Sequence, residues 1–315
     1  MLPFRRLAAL DREPDGAGVI TLVVLMCSFN RRGETLNALR SLSGQEVSFP
    51  ILATVVLFDD GSRDGTTGAV IAAFPEVEIV HGDGSAYWSR GMACAQEVAL
   101  RLAQPDYLCW LNDDVTLIPH ALDVLLHTAR GIEPAGAVVG PLADAETLEI
   151  SYSGYVRTGA RPTQLQHVVP DGEPRDVDNF NGNVVLLPRV VYERVGSIDA
   201  RYEHSYGDTD YGYRIAKTGL RTVLAPRVVG HCSRNSSDGT WRDPRLRVVR
   251  RLTLLGSRKG IPPRSYAHFQ RQCGGRRWPI NVAGTYARAI AAICRTSVRL
   301  PTSRRSARAF HVGDR

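Results

Sequence analysis

The sequence predicts an α/β fold with a mainly parallel central sheet. Three observations carry that prediction. The first half of the chain alternates short apolar runs with stretches of helical periodicity, the pattern of β-α-β units. Four successive apolar runs end in polar or glycine-rich residues, where ligands sit in open α/β sheets. At 315 residues, 43% hydrophobic and 23% charged, the chain has the composition of a globular protein with a sizeable core.

The elements follow in order. Val19 to Cys27 reads as the first strand, and Glu34 to Leu42 as a helix with Leu36, Leu39 and Leu42 on one side. Ala53 to Phe58 is the second strand, ending in Asp59-Asp60-Gly61-Ser62. A helix from Gly65 to Phe74, with Asp64 as its cap, leads to a third strand, Val77 to Val80. Next come a glycine-rich loop, His81 to Gly91, a helix from Met92 to Leu102, and a fourth strand, Tyr107 to Leu111. After Pro119 the pattern is less regular. Val138 to Pro141 and Leu148 to Tyr155 read as strands, and Arg157 to Asp178 as a long loop. Val184 to Leu187 reads as a buried strand. Asp208 and Asp210 open a helix capped by Gly219, and the strand Arg221 to Ala225 leads on to His231.

Charge is unevenly distributed. Residues 242–315 sum to +16 and residues 1–241 to −9, so an acidic body carries a basic tail suited to an anionic partner. The longest apolar run, Val19 to Phe29, is too short for a bilayer span of about 20 residues. The first residues do not read as a secretion signal. The six scattered cysteines form no C-x-x-C pair and read as reduced structural thiols in a cytoplasmic protein rather than as a zinc site.

Two acidic strand ends carry chemistry. Asn112-Asp113-Asp114 either caps the next helix or holds a divalent cation shared with phosphate oxygens, an arrangement that suits Mg²⁺ and Mn²⁺. Asp59 at its strand tip is placed to accept hydrogen bonds from a nucleobase N–H or a ribose hydroxyl. The D-x-D-G-T/S strand end of aspartyl-phosphate phosphatases fails here by one residue, because Asp59 and Asp60 are adjacent and face opposite sides. Gly82, Gly84 and Gly91 permit close backbone approach to a ligand. Tyr87 and Trp88 either flank that ligand or pack the sheet edge, and Arg90 is a candidate phosphate contact. Asn181-Gly182-Asn183 is by itself a strong turn signal.

Taken together, "VLMCSFNRRGETLNALRSL", "VVLFDDGSRDGT", "GDGSAYWSRGM" and "YLCWLNDDVTLIP" resemble the nucleotide-sugar half of inverting family 2 glycosyltransferases, which have the GT-A fold. The resemblance runs from residue 19 to about residue 232. It implies a catalytic domain over 19–240, with a nucleotide-sugar half (19–118) and an acceptor and catalytic-base half (119–240). Residues 1–18 would form an N-terminal extension and 241–315 a basic helical tail. It implies that Asp59 and Asp60 read the base, with Cys27, Phe29, Asn30 and Arg31 beside them. Gly84, Trp88, Arg90, Asn112, Asp113, Asn181 and Gly182 would complete the nucleotide-sugar site. Asn112-Asp113-Asp114 stands for the family's D-x-D element, with Asp114 as the ligand of Mn²⁺ or Mg²⁺. "GDTDYGYRIAKTG" is similar to the family's E-D-x-D segment, with Gly207 in place of Glu. The base therefore carries over to Asp208, while Asp210 reads as structural. His231, 23 residues on, matches a second metal ligand.

The implied reaction moves a sugar from a UDP- or dTDP-linked donor to a glycan or lipid-linked acceptor of a cell-surface polysaccharide. Two other classes use the same residues: a nucleotide-sugar phosphohydrolase or nucleotidyltransferase, and a non-catalytic nucleotide-binding protein. Residues 245 to 300 read as amphipathic helix, with Arg288, Arg295 and Arg299 on one face and Tyr286, Ile290, Ile293 and Val298 mainly opposite. Trp278 adds an interfacial aromatic. This suggests either a helix lying on the cytoplasmic face of an anionic membrane or one packed on the catalytic domain. No nucleic-acid motif is present, so nucleic acid is not an expected partner. The sequence leaves homo-oligomerisation open.

Overall fold

The computed structural model describes residues 2–6, 18–202, 204–234 and 236–297. Its first half runs β1 (Ile20–Ser28), α1 (Arg32–Ser43), β2 (Ile51–Asp59), α2 (Thr66–Ala73), β3 (Glu78–His81), α3 (Tyr87–Leu102), β4 (Tyr107–Leu111), β5 (Thr116–Leu117) and α4 (Ala121–Arg130). Short strands follow: β6 (Ala137–Val139), β7 (Leu142–Ala143), β8 (Ile150–Tyr152), β9 (Gly154–Arg157), β10 (Leu165–His167), β11 (Arg175–Asp176), β12 (Asn179–Phe180) and β13 (Val184–Pro188). Then come α5 (Arg189–Val195), α6 (Gly207–Lys217), β14 (Thr222–Leu224), β15 (Gly230–His231), α7 (Val248–Leu255), α8 (Pro263–Cys273) and α9 (Trp278–Ser297).

Eight strands form the central sheet in the order β11-β14-β6-β13-β4-β1-β2-β3. The β4-β1-β2-β3 portion is parallel, and β13 joins it antiparallel to β4. The strand order reverses between β1 and β4, so the crevice for a ligand opens beyond their carboxyl ends. β1 is buried along its whole length, as a strand covered on both faces must be. Leu22, Val24 and Met26 enter one core with Leu39 and Leu42 of α1 and Leu125 of α4. Val23, Leu25 and Cys27 enter the other with Met92 and Ala95 of α3 and Ile215 of α6. Leu2 and Phe4 are buried against the first core, and Arg5 donates its N–H to Ala53 O on β2.

Three expectations change. α3 starts at Tyr87, five residues before the expected Met92, so Tyr87, Trp88, Arg90 and Gly91 lie in its first turns rather than in a loop. The stretch 157–178 is not one loop, because β10 pairs with β9 and β11 with β14. The expected strand from Leu148 to Tyr155 is broken at Ser153 into β8 and β9, which join different sheets.

The basic tail folds into α7, α8 and α9, and it packs on the body. Phe269 of α8 stacks on Tyr206 with ring centroids 5.1 Å apart, beside buried Tyr202 and Tyr266. Arg251 of α7 is buried, donating to Trp241 O and to Ile293 O and Thr296 Oγ1 of α9. On α9, Tyr286 and Ile293 face this packing and Ile290 faces outward, which corrects the expected grouping of all three. Val298 and Arg299 lie outside the described residues. Among the described residues no helix is long and apolar enough to cross a membrane.

Candidate active site

Asp59 and Asp60 end β2 and are both buried. Asp59 stands at the tip of β2, where the sequence places it. Its carboxylate turns into its own loop, accepting the Ser62 N–H at 2.9 Å and the Thr67 hydroxyl. Asp60 faces the other way. It accepts the N–H groups of Gly84 (3.0 Å), Ala86 (3.2 Å) and Tyr87 (2.9 Å), and so caps the start of α3 from a distant strand. Gly84, at φ 89°, supplies the left-handed turn that aims its N–H at this carboxylate. Asn30, at φ 52°, donates its N–H to Ser62 Oγ, and its Oδ1 accepts the Arg63 N–H, locking the end of β1 to the end of β2. Phe29 is half exposed at the rim, and Cys27 is buried under Gly91.

At the end of β4, the Arg31 guanidinium bridges the two neighbouring acids, 3.2 Å from Asp113 Oδ1 and 2.7 Å from Asp114 Oδ2. The pair is not equivalent: the Asp114 side chain is 27% exposed and that of Asp113 only 7%. Burial pushes the Asp113 carboxyl up to about 6; Arg31 opposes this and the Asp114 charge adds to it. Asp113 Oδ2 is buried without a hydrogen-bond partner. Across the strand register His231 lies opposite Thr116, yet the thiol that reaches the acids is Cys232, with Sγ 3.6 Å from Asp114 Oδ1. His231 Nδ1 is buried and unpartnered. Among the described residues no three His, Cys, Asp or Glu side chains converge as a closed metal site. The donors fit a hard divalent cation that takes one or two carboxylate oxygens and fills its shell from a diphosphate and water. Asp114 is the accessible carboxylate, and the acid pair already balances the positive charge of Arg31.

Asp208 lies in the first turn of α6 and meets the Gly182 backbone. Its Oδ2 accepts the Gly182 N–H at 3.1 Å and its Oδ1 the Thr209 N–H at 2.7 Å. Burial pushes its carboxyl above the ordinary Asp range, against the lowering effect of those N–H groups. Gly182 is squeezed between two sides of the site. A Cβ there would stand 2.6 Å from Trp88 Cη2 and 3.1 Å from Asp208 Cβ. Trp88 in turn donates its indole N–H to Asn112 Oδ1 at 2.7 Å and packs edge-on against Trp110. A continuous chain therefore runs from Asn112 through Trp88 and Gly182 to Asp208. A Cβ at Gly207 would stand 2.4 Å from Ser89 Oγ, so no side chain fits at that position.

Asp210 is structural, as expected. It is buried, paired with Arg214 at 2.9 Å and bonded by the Tyr202 hydroxyl at 3.2 Å. Asn181 accepts the Tyr155 hydroxyl and lines the Asp208 side, where the Asp208 charge adds to the burial that raises Tyr155. Arg90 is exposed on α3, and its charge falls on Asp83 and Cys94; the structure does not bring it to the acids of β4. Tyr155, Cys232, His204 and Arg258 belong to the site region and were not singled out from sequence. Each reaches it through tertiary folding, with no local motif to signal it.

The parallel sheet, the crevice at its reversal and the acids at β4 and α6 make the fold that of a GT-A glycosyltransferase. Residues 23–154 match the family model described as Glycosyl transferase family 2, so this part of the chain carries a glycosyltransferase domain. An N-acetylglucosaminyl-diphospho-decaprenol L-rhamnosyltransferase of Mycobacterium tuberculosis is 28% identical over 218 residues, 61% of this chain and 69% of that one. The galactofuranosyltransferase GlfT2 of the same species is 23% identical over 66% of this chain and 37% of its own length. In fold, the chain is similar to mannosyltransferase PcManGT from Pyrobaculum calidifontis, solved with GDP-Man and Mn²⁺. That likeness has a TM-score of 0.52 and 19% identity over 91% of this chain and 76% of that one. It is also similar to S. aureus TarS 1–349, with a TM-score of 0.50 and 12% identity over 89% of this chain and 90% of that one.

Proposed function

We propose that the protein transfers a sugar from a UDP- or dTDP-linked donor to a lipid-linked or glycan acceptor in cell-surface polysaccharide synthesis. The observation that carries this reading is the contact of Asp208 with Gly182, one step from Trp88 and Asn112. It sets a raised-pKa carboxylate against the element that would hold the donor diphosphate. In this reading Asp208 takes the proton from the acceptor hydroxyl as its oxygen attacks the anomeric carbon, and direct displacement inverts that centre. Gly182 N–H keeps one carboxylate oxygen in place, and the blocked position at Gly207 leaves Asp208 as the acid at this turn. A bound Mn²⁺ or Mg²⁺ would supply charge stabilisation for the departing diphosphate, with Asp114 as protein ligand and His231 as the second candidate. The L-rhamnosyl group and the diphospho-decaprenol named for the 28%-identical relative support a deoxyhexosyl donor and a polyprenyl-diphosphate acceptor. Such an acceptor would make contact of the C-terminal helices with the cytoplasmic face of a membrane useful.

The deciding experiment is calorimetric binding of UDP, dTDP, GDP and CDP, each with and without Mn²⁺, to the wild type, Asp114→Ala and Asp208→Asn. Metal-dependent binding of one diphosphate is expected, lost in Asp114→Ala and kept in Asp208→Asn. Transfer by Asp208→Asn should fall by about 10²-fold or more. If none of the four binds with metal present, this donor site does not exist.

A further inference from the structure

A cleft of about 430 Å³ opens where β8, β9 and β10 meet, lined by Ser151, Tyr152, Tyr155, Leu165, His167 and Arg234. That volume lies within the roughly 300–1,000 Å³ of small-molecule sites. Two sheets supply its walls: β8 ends the β5-β15-β7-β8 sheet, and β9 and β10 belong to the β10-β9-β12 sheet. Ser153 joins them. Its Oγ donates to Val168 O at 2.6 Å, and its carbonyl accepts the Asn181 N–H at 3.3 Å. Tyr155 is half-buried, and its two parts serve different places. Its hydroxyl donates to Asn181 Oδ1, next to the Gly182 whose N–H holds Asp208. The ring is what Tyr155 gives to the cleft. The His167 ring packs against it, with centroids 5.1 Å apart. Burial, and then the charge of Arg234, hold His167 below its ordinary range. Its Nε2 is buried with no hydrogen-bond partner, a polar atom of the cleft wall that the protein leaves unsatisfied.

Arg234 stands on the other side of the cleft. Its Nε donates to Ser151 O at 3.0 Å and its Nη2 to Ile150 O at 2.8 Å, which fastens the guanidinium to the edge of β8. Both partners are neutral carbonyls, and among the described residues no carboxylate pairs with this exposed cation. An aromatic face beside a fixed cation suits a sugar ring that carries a neighbouring phosphate. The C–H face of the ring lies on the tyrosine, and the phosphate takes charge-assisted N–H bonds. We propose that this cleft holds the acceptor, with its sugar ring on Tyr155 and its anomeric phosphate at Arg234. The contacts from Tyr155 through Asn181 and Gly182 then link the bound acceptor to Asp208. The cleft rests on the glycosyl-transfer reading and goes beyond it by naming the residues that select the acceptor. A donor nucleotide sugar carries the same two groups, and the test separates the two.

The full-length wild type, Tyr155→Ala, Tyr155→Phe, Arg234→Ala and Leu165→Trp are titrated by ligand-observed NMR. The probes are the 1-phosphates of glucose and N-acetylglucosamine, the two free sugars, inorganic phosphate, UDP and dTDP. Leu165→Trp fills the cleft from an edge strand, so it tests the cleft even where Arg234→Ala loosens β8. The wild type should bind a sugar 1-phosphate more tightly than the sugar or the phosphate alone. Affinity should fall about tenfold or more in Tyr155→Ala, Arg234→Ala and Leu165→Trp, and recover in Tyr155→Phe, which keeps the ring. Binding of UDP and dTDP should not change, and in transfer assays the same variants should raise the acceptor KM. A raised donor KM with an unmoved acceptor KM would assign the cleft to the donor sugar and overturn the proposal. So would a wild type that binds neither sugar 1-phosphate, or equal affinity in the wild type, Tyr155→Ala and Leu165→Trp. Failure of the parent reading would look different: a protein whose cleft binds a sugar 1-phosphate and which binds neither nucleotide.

Discussion

At the scale of single residues, the two acids that end β4 were legible because a buried apolar strand has no use for adjacent carboxylates unless something balances them. That Arg31 is the balancing group was not legible, since the pairing spans 82 residues and depends on β1 lying beside β4. Asp208 has a testable titration. Its folded pKa is raised, so the carboxylate that acts as base forms only above the ordinary value of about 3.9. kcat should therefore fall with decreasing pH through a limb lying above that value. His204, lowered by burial and by the Lys259 charge with the Asp208 charge opposing, would titrate in the same direction, while Tyr155 titrates far above it. A pH–rate profile of the wild type and His204→Gln separates them. The limb should survive in His204→Gln, and an activity flat to below pH 4 would remove Asp208 as the base. The same group opposes stability at neutral pH: the proton it holds more tightly when folded favours folding at low pH, and that contribution is lost as pH rises through the raised pKa.

Among the elements, periodicity located β1, β2, β4, β13 and α6 to within a few residues, because each carries its own apolar pattern. The start of α3 was missed for a definite reason. Its N–H groups are capped by Asp60, 27 residues before Tyr87, and Tyr87 itself takes φ 56°, so no local cap marks the position. The short strands β10 and β11 were missed because runs of two or three residues are too short to show a periodicity. α6 shows how one turn separates function from support. Asp208→Asn should leave stability near wild type while lowering transfer about 10²-fold or more. Asp210→Ala removes the acid partner of Arg214 and the acceptor of the buried Tyr202 hydroxyl, which should cost about 2–4 kcal/mol. Urea midpoints and kcat per folded molecule measure the two effects. The division of roles fails if Asp210→Ala unfolds no more readily than Asp208→Asn.

Across the whole molecule, the charge asymmetry between body and tail was legible in the sequence, but the orientation of the last helix was not. Periodicity alone cannot say which of two apolar stripes meets the body. In α9, Val282, Tyr286, Ala289 and Ile293 face the cores formed with α7 and α8. Ile280, Ala283, Ala287, Ile290, Ala291 and Cys294 are all exposed and fall within a sector of about 100° at 3.6 residues per turn. Exposed Arg288 and Arg295 border one side of that stripe, and Arg276 and Arg277 precede the helix. An apolar stripe bordered along one side by arginines suits a helix lying in the headgroup region of an anionic membrane. Each arginine near such a surface contributes about 1 kcal/mol. Replacing both Arg288 and Arg295 with Ala should therefore weaken binding to phosphatidylglycerol-containing vesicles by about 30-fold. Ile280→Asp with Ile290→Asp should do so independently of salt, whereas the arginine contribution should fade as salt rises. Cosedimentation with vesicles made with and without phosphatidylglycerol measures both. If the wild type ignores the anionic vesicles at low salt, the stripe does not face a membrane and a lipid-linked acceptor must be met in some other way.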